Sequence, residues 1–298
     1  MQENPSEVII IGGSIAGLSA AMTLGRSLRN VLIIDCGLPC NQYSPHSHNF
    51  ITQDGSRPTE IISITKEQVL KYPTVSFLDD KVINVKRVFD GFIVETKTQK
   101  YRTEKVLFAT GLKDIMPEIR GFAECWGISI LHCPYCHGYE VRGEETAILA
   151  TGEAAYHLGI LLNNWTKDIT ILSNGPAELT AEQQKKLAGL NIIINEEEIA
   201  EIIHNNGYMK NVLFKNGESF EVGIWYASIP FRQQCNIAEE LGCVMTESGH
   251  IKIDDEQRTT VEGVYAAGDN TEQPRAISVA SASGTKAAFT INMELILK

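Results

Sequence analysis

Val8-Ile9-Ile10-Ile11-Gly12-Gly13-Ser14-Ile15-Ala16-Gly17 leads into a helix-compatible run from Leu18 to Arg29 and then into Val31-Leu32-Ile33-Ile34-Asp35. Short unbroken apolar runs of this kind suit strands buried on both faces, as in a parallel sheet. The order strand, glycine turn, helix, strand, acid opens a dinucleotide-binding βαβ unit. Gly12 permits the tight turn and Gly17 lets helix and strand approach. The helix start through Ser14, Ile15 and Ala16 offers its N–H groups to a pyrophosphate. Asp35, roughly 20 residues on, is placed to accept hydrogen bonds from ribose hydroxyls. Ser14 departs from the usual pattern, in which a second glycine lets the backbone close on phosphate; serine loses room there but brings a hydroxyl. The rival reading is a βαβ unit whose glycines serve packing alone.

Two further stretches end in turns of the same character. Val106-Leu107-Phe108 runs into Ala109-Thr110-Gly111, a strand closing in a glycine turn. Near the other end of the chain, Val264-Tyr265-Ala266-Ala267 stops at Gly268-Asp269, where the aspartate can bind a sugar-chain hydroxyl or order water at a phosphate. After Arg275 a final helix is expected over Ala276 to Leu295. Its small residues Ser278, Ala280, Ser281, Ala282, Ser283, Gly284 and Ala287 let backbone approach a ring or another helix.

Chemistry concentrates in His132-Cys133-Pro134-Tyr135-Cys136-His137-Gly138-Tyr139-Glu140. Two cysteines separated by two residues can close a small disulfide or hold a metal. No second ligand pair stands at zinc spacing, and His46 and His48 do not complete one with Cys36 and Cys40, so no metal is expected. Pro134 suits the first position of a short helix with Cys133 at its cap, which lowers the Cys133 thiol and makes it the attacking sulfur. His137 supplies a proton acceptor matched to neutral pH. The bland reading is two buried thiols that happen to be neighbours. The loop holding His46 and His48 reads as a flavin-side or structural loop.

Beyond this motif the βαβ pattern recurs in weakened form. Thr146 to Ala150 is strand-like, Gly152 to Trp165 helix-like and Ile169 to Leu172 strand-like. Of the fingerprint only Gly152 and the small Ala155 remain. Glu153 would repel a pyrophosphate at the helix start. The following Ser173-Asn174-Gly175 has neither an acid for a ribose nor arginines for a 2′-phosphate. These residues count against an NADPH site and favour a retained scaffold.

The composition bounds the rest. A formal charge of −11 over 298 residues, with no basic cluster, argues against nucleic acid. No apolar run approaches the roughly 18 residues that suggest a membrane span. The first apolar segment runs straight into the glycine turn, so it is not expected to be a signal peptide. Seven scattered cysteines form no extracellular staple pattern and read as thiols of a cytoplasmic protein, the pair at 133 and 136 excepted.

Taken together, Gly12 to Gly17, Ala109-Thr110-Gly111, Cys133-Pro134-Tyr135-Cys136 and Thr260 through Asp269 resemble the FAD-dependent, low-molecular-weight thioredoxin reductase superfamily, over nearly the whole chain. The resemblance implies an α/β fold of two Rossmann-like three-layer nucleotide-binding domains, the second inserted into the first. The corresponding parts are 1–114 and 239–298 for the FAD domain and 115–238 for the module carrying the redox disulfide. It implies a homodimer. It adds Arg275 and Ala276 to the FAD-binding set already drawn from Gly12, Ser14, Ile15, Ala16, Gly17, Asp35, Ala109, Thr110, Gly111, Gly268 and Asp269. It also implies that Cys136 faces the flavin while Cys133 exchanges with the substrate.

His137 stands where the superfamily usually has an aspartate. Cys-Pro-Tyr-Cys-His-Gly resembles the branch that oxidises small dithiols and passes electrons through FAD to oxygen, which is the expected activity. Two alternatives stay open: a reductase of a thioredoxin-like protein fed by NADPH or ferredoxin, and a flavin-bound redox sensor without fast turnover.

Overall fold

The computed structural model describes residues 6–298. The chain divides into two compact units, one of residues 1–40, 59–113 and 231–298, the other of 41–58 and 114–230. The first unit opens with β1 (Ser6–Ile11), α1 (Ile15–Arg26) and β2 (Val31–Asp35), the order expected from the apolar runs. It continues through α2 (Pro58–Val69), β3 (Val75–Asp79), β4 (Val82–Val88), β5 (Gly91–Thr96), β6 (Lys100–Phe108) and β7 (Leu112–Asp114). The seven-stranded sheet has the order β3-β2-β1-β6-β5-β4, with one further strand from the end of the chain alongside β6.

Strands β3, β2, β1 and β6 are parallel, whereas β4 and β5 form an antiparallel hairpin beside β6. Alternate residues of β1 enter two different cores. Val8 and Ile10 pack with α1, and Ile9 and Ile11 pack with residues of β4, β5 and β6, all at 6% exposure or less. This is why the run is apolar without alternation. Each fully buried aliphatic side chain contributes about 1.5–3 kcal/mol.

The second unit follows as α3 (Phe122–Cys125), β8 (Ile130–Leu131), α4 (Pro134–His137), β9 (Thr146–Leu149), α5 (Gly152–Leu162), β10 (Ile169–Leu172), α6 (Ala181–Ala188) and β11 (Ile193–Asn195). Then come β12 (Ile199–Asn205), β13 (Tyr208–Phe214), β14 (Ser219–Glu221) and β15 (Ile224–Ala227). A five-stranded parallel sheet, β11-β10-β9-β15-β8, repeats the plan of the first unit, and β12-β13-β14 form an antiparallel sheet. Strand β12 has no clear alternation in sequence; it forms by pairing with β13 across two register shifts and buries Ile199 and Ile202.

The chain returns to the first unit through β16 (Phe231–Gln233), α7 (Ile237–Glu240), β17 (Val264–Ala266) and α8 (Ile277–Ile296). β16 pairs with β7 and β17 with β6. The stretch 249–254, which reads as a turn and strand, makes only an isolated bridge between Met245 and Ile251. Helices α1 and α8 lie in close contact: a Cβ on Gly284 would stand 2.0 Å from the Ala16 carbonyl oxygen. The small residues of α8 therefore admit another helix. The fold is α/β, with two nucleotide-binding-type sheets.

Candidate active site

In the second unit the redox motif begins where β8 ends. Cys133, in extended backbone, is the N-cap of α4, and Pro134 fills the first turn, where a missing N–H leaves no helical bond unmade. The turn is closed by the Cys136 and His137 N–H groups, which donate to the Cys133 carbonyl at 3.1 and 3.2 Å. This brings the two sulfurs to 2.6 Å. The Cys133 thiol is drawn down to about 7, first by the hydrogen bond from the Cys136 side chain; burial opposes this, and the Cys136 and Tyr135 N–H groups assist. The sequence reading placed the cause in the helix start, whereas the neighbouring thiol ranks first.

His137 is displaced in the sense that keeps it neutral. Burial lowers its pKa first and nearby His48 lowers it further, while Glu140 acts the other way. The His48 ring meets His137 edge-on, with centroids 6.2 Å apart. His48 Nδ1 lies 3.4 Å from Glu140 Oε1 and 3.6 Å from Asp54 Oδ1. His46 is turned to the Gly55 carbonyl at 2.9 Å. Sequence reasoning noticed the His-x-His spacing but gave it no partner, and it assigned no role to Asp54 or Glu140.

Tyr226 on β15 is a further residue it passed over. Its phenol is fully buried with no hydrogen-bond partner, and its pKa is raised by burial first and then by Cys133, Cys136 and Glu140. Tyr135 and Tyr139 are exposed, while Trp126 stacks on Phe122 in the core.

In the first unit, the turns picked out from sequence gather at the C-terminal ends of β1, β2, β6 and β17. The chain order reverses between β1 and β6, and such a switch point is where open α/β sheets bind ligands. Asp35 accepts from the Gly13 N–H at 3.0 Å and the Gly37 N–H at 3.1 Å, one on each oxygen, and a carboxylate so held keeps acceptor capacity for hydroxyls. A Cβ on Gly17 would stand 1.9 Å from the Gly12 carbonyl oxygen, so only glycine allows this approach of helix to turn.

The Ser14 hydroxyl makes no capping bond, and the first N–H groups of α1, from Ile15 and Ala16 onward, have no side-chain cap. Asn270 ties two turns together by donating to the Phe108 carbonyl at 3.0 Å and to Thr110 Oγ1 at 3.2 Å, beside Ala109 and Gly111. The Gly268 N–H donates to Ser283 at 3.0 Å, and Asp269 accepts from Cys40 at 3.5 Å. Ala276 caps α8 without a side-chain bond, and the Arg275 guanidinium lies 5.1 Å over the Phe231 ring. An uncapped helix start, an anchored acid at the end of β2 and open space around Gly111 fit a dinucleotide such as FAD.

The corresponding place in the second unit is built differently. The Gly152 N–H is spent on the Ala177 carbonyl at 2.8 Å, and Glu153 accepts from Gln183 at 2.7 Å. The neighbouring depression is lined by Gly175, Pro176, Glu196, Glu197, Glu198, Lys215 and Asn216. Its lysine is paired with Glu198 at 2.6 Å. Three glutamates and a neutralised lysine disfavour a nucleotide phosphate. Among the described residues no helix is long and apolar enough to cross a membrane.

Comparison with known proteins agrees with this arrangement. The model of the pyridine nucleotide-disulphide oxidoreductase family matches residues 6–284. The chain is 31% identical to the thioredoxin reductase sirT of Leptosphaeria maculans, over 97% of this chain and 94% of that protein. Among solved structures it is similar to the Bacillus anthracis protein assigned as thioredoxin reductase TrxB, with a TM-score of 0.93, 32% identity and 98% of each chain covered. It is also similar to HlmI, with a TM-score of 0.94, 29% identity and coverage of 99% of this chain and 94% of that one. With two nucleotide-type sheets, a dinucleotide cradle and a paired-cysteine turn, this chain belongs to the pyridine nucleotide-disulphide oxidoreductase family, as a flavin-dependent enzyme of the thioredoxin reductase-like kind.

Proposed function

We propose that the protein moves an electron pair between a thiol–disulfide partner and FAD through Cys133 and Cys136, with His137 as proton acceptor and a thioredoxin-like protein as the partner. The observation that carries this is the cysteine turn, in which one thiol is drawn down toward neutrality and a neutral imidazole stands on the next residue after its mate. Relatives that bear the name thioredoxin reductase favour a protein disulfide as substrate over a small dithiol oxidised by oxygen, the direction that the motif alone suggests.

In the oxidative direction a substrate thiol gives its proton to the imidazole of His137, and the thiolate attacks Cys133 Sγ. That step breaks the Cys133–Cys136 bond and releases Cys136 as a thiolate. The second substrate thiol then gives its proton to His137, once that imidazole has shed the first. Its thiolate attacks the substrate sulfur of the mixed disulfide, so the substrate disulfide forms and Cys133 leaves as a thiolate. Its low pKa makes Cys133 a good leaving group. Reduction of a protein disulfide runs these steps backwards. FAD, when bound, supplies the two-electron oxidation or reduction of the cysteine pair. Gly12, Ser14, Ile15, Ala16 and Gly17 would hold its diphosphate and Asp35 its ribose. Ala109 to Gly111, Gly268, Asp269, Arg275 and Ala276 would line the rest.

Oxidation of a small dithiol is the second reading, and the glutamate-lined depression favours it. If NADPH cannot seat there, electrons must enter from the dithiol itself or from a carrier such as ferredoxin. The test is anaerobic rapid mixing of the flavin-loaded protein separately with NADPH and with dithiothreitol, following the visible flavin absorbance, with oxidised thioredoxin added after NADPH. Bleaching by NADPH followed by thioredoxin reduction supports the reductase. Bleaching by dithiothreitol alone, with colour restored in air, supports the oxidase. Cys136→Ser should keep FAD and lose both bleaching by dithiothreitol and reduction of thioredoxin, while any bleaching by NADPH, which reaches the flavin without the cysteines, persists; a variant that still bleaches with dithiol sinks the assigned roles.

A further inference from the structure

We propose that His48, which lies beside Glu140 and Asp54, is the second proton carrier of this site and passes protons between His137 and solvent. The proposal rests on the reading of His137 as proton acceptor. Thiol–disulfide exchange requires a thiol to lose its proton before it attacks. The half-buried imidazole of His137 can take that proton only once, and has to shed it before the next exchange.

Within the second unit, the charged and titratable groups that bear on His137 are His48 and Glu140. Cys133 and Cys136 precede it on the same turn, and Glu140 follows it. His48 approaches from the segment 41–58, edge-on at 6.2 Å between ring centroids. At this spacing two imidazoles can exchange a proton through one intervening water. Around His48 stand Glu140 Oε1 at 3.4 Å, Asp54 Oδ1 at 3.6 Å and the ring of His46 at 6.4 Å.

Accessibility rises along this series. The His48 side chain is 19% exposed, Glu140 38% and Asp54 70%. A proton leaving His137 therefore meets one imidazole at the edge of solvent and then two carboxylates that are already wet. His48 acts against retention of the proton on His137, more weakly than burial does, while Glu140 acts the other way. In bonds, the substrate S–H breaks as an N–H forms on His137. That N–H breaks as one forms on His48, and the proton then passes to water by way of Glu140 or Asp54. No electrons move in the relay, and it serves both directions of exchange.

The experiment compares parent, His48→Gln, Glu140→Gln and His137→Gln as full-length flavin-loaded proteins. Dithiothreitol-driven bleaching is measured at increasing imidazole buffer concentration, and FAD retention and the pH profile of Cys133 alkylation report integrity of the site. The expected result for His48→Gln is exchange about tenfold to a hundredfold slower, with FAD and Cys133 alkylation unchanged and the rate restored by imidazole. The parent should ignore the buffer.

Parent-like exchange in His48→Gln overturns the relay, and so does slow exchange that imidazole does not restore. If His48→Gln fails to fold, Glu140→Gln decides by the same buffer criterion. His137→Gln separates the two claims. If it exchanges as fast as the parent, His137 is not the acceptor and the underlying reading fails. If it is slow while His48→Gln is not, the relay alone fails.

Discussion

Cys133 and His137 are shifted so that both are useful near neutral pH, one toward thiolate and one toward free base, and the causes differ. Hydrogen bonds from Cys136 and two backbone N–H groups hold the Cys133 thiolate against the penalty of burial, whereas burial itself neutralises His137. Iodoacetamide should therefore alkylate Cys133 with a midpoint at about pH 7. An ordinary thiol has a midpoint of about 8.5. Cys125, whose thiol burial pushes up to about 11, should stay silent in the same mass-spectrometric experiment. A Cys133 midpoint at or above the ordinary value would remove the argument for its role as attacking and leaving sulfur.

The histidine carries a stability signature as well. Its folded-state pKa lies below its ordinary value, so as pH falls the unfolded chain takes up the proton first, and stability drops below about pH 6.5. His137→Asn should lose less melting temperature than the parent between about pH 7 and about pH 5. Identical slopes would mean that His137 is not held neutral.

At the scale of elements, α8 is fixed to the first unit at two points. Its middle lies close to α1 at Gly284, and near its end Glu294 takes the Lys105 ammonium at 2.6 Å, the Arg258 Nε at 2.8 Å and the Tyr265 hydroxyl. Burial works to raise the Glu294 carboxyl, but the hydrogen bonds from Lys105, Tyr265 and Arg258 outweigh it and hold the group down to about 2. Its contribution is full above about pH 4.5 and is lost as pH falls toward about 2. Glu294→Gln should melt lower than the parent at neutral pH and show a flatter acid limb. Equal acid limbs in a thermal-melt series would show that the network contributes nothing. Helix α4 shows the opposite economy. Four residues suffice because its work is to close a turn over two sulfurs, and Pro134 sets its first step.

For the whole molecule, each unit gathers its chemistry at the C-terminal ends of parallel strands, yet the two differ in charge and in the use of their glycines. The first unit leaves α1 uncapped and anchors Asp35 for a ribose; the second spends the Gly152 N–H internally and surrounds its depression with glutamates. A twice-used architecture thus leaves its glycine turn open in the first unit and closes it internally in the second. We propose a homodimer, and sedimentation equilibrium should return about twice the chain mass of 32.9 kDa. A mass that stays at one chain across the concentration range would rule it out.

Strands β1, β2, β6, β9 and β10, the turns after them and the helices α1, α5 and α8 were legible in the sequence, because a run of apolar residues ended by glycine is local information. The paired-cysteine turn was legible for the same reason, since Pro134 and the spacing act within a few bonds. Strand β12 was not, because its pattern exists only against β13. Nor was the strand expected at 249–254, where the turn formed but no neighbour offered more than a bridge.

The sequence by itself determined two βαβ frameworks, one with an intact dinucleotide turn and one worn, and a thiol pair followed by a histidine. Tertiary structure alone decided that residues 41–58 leave the first unit and join the second, bringing His48 and Asp54 to His137 and Glu140. It also decided how far burial works against the thiolate of Cys133 and against the imidazolium of His137. The reason is physical. Periodicity and turn chemistry are set between neighbours along the chain, whereas burial and charge depend on which distant segments pack around a group.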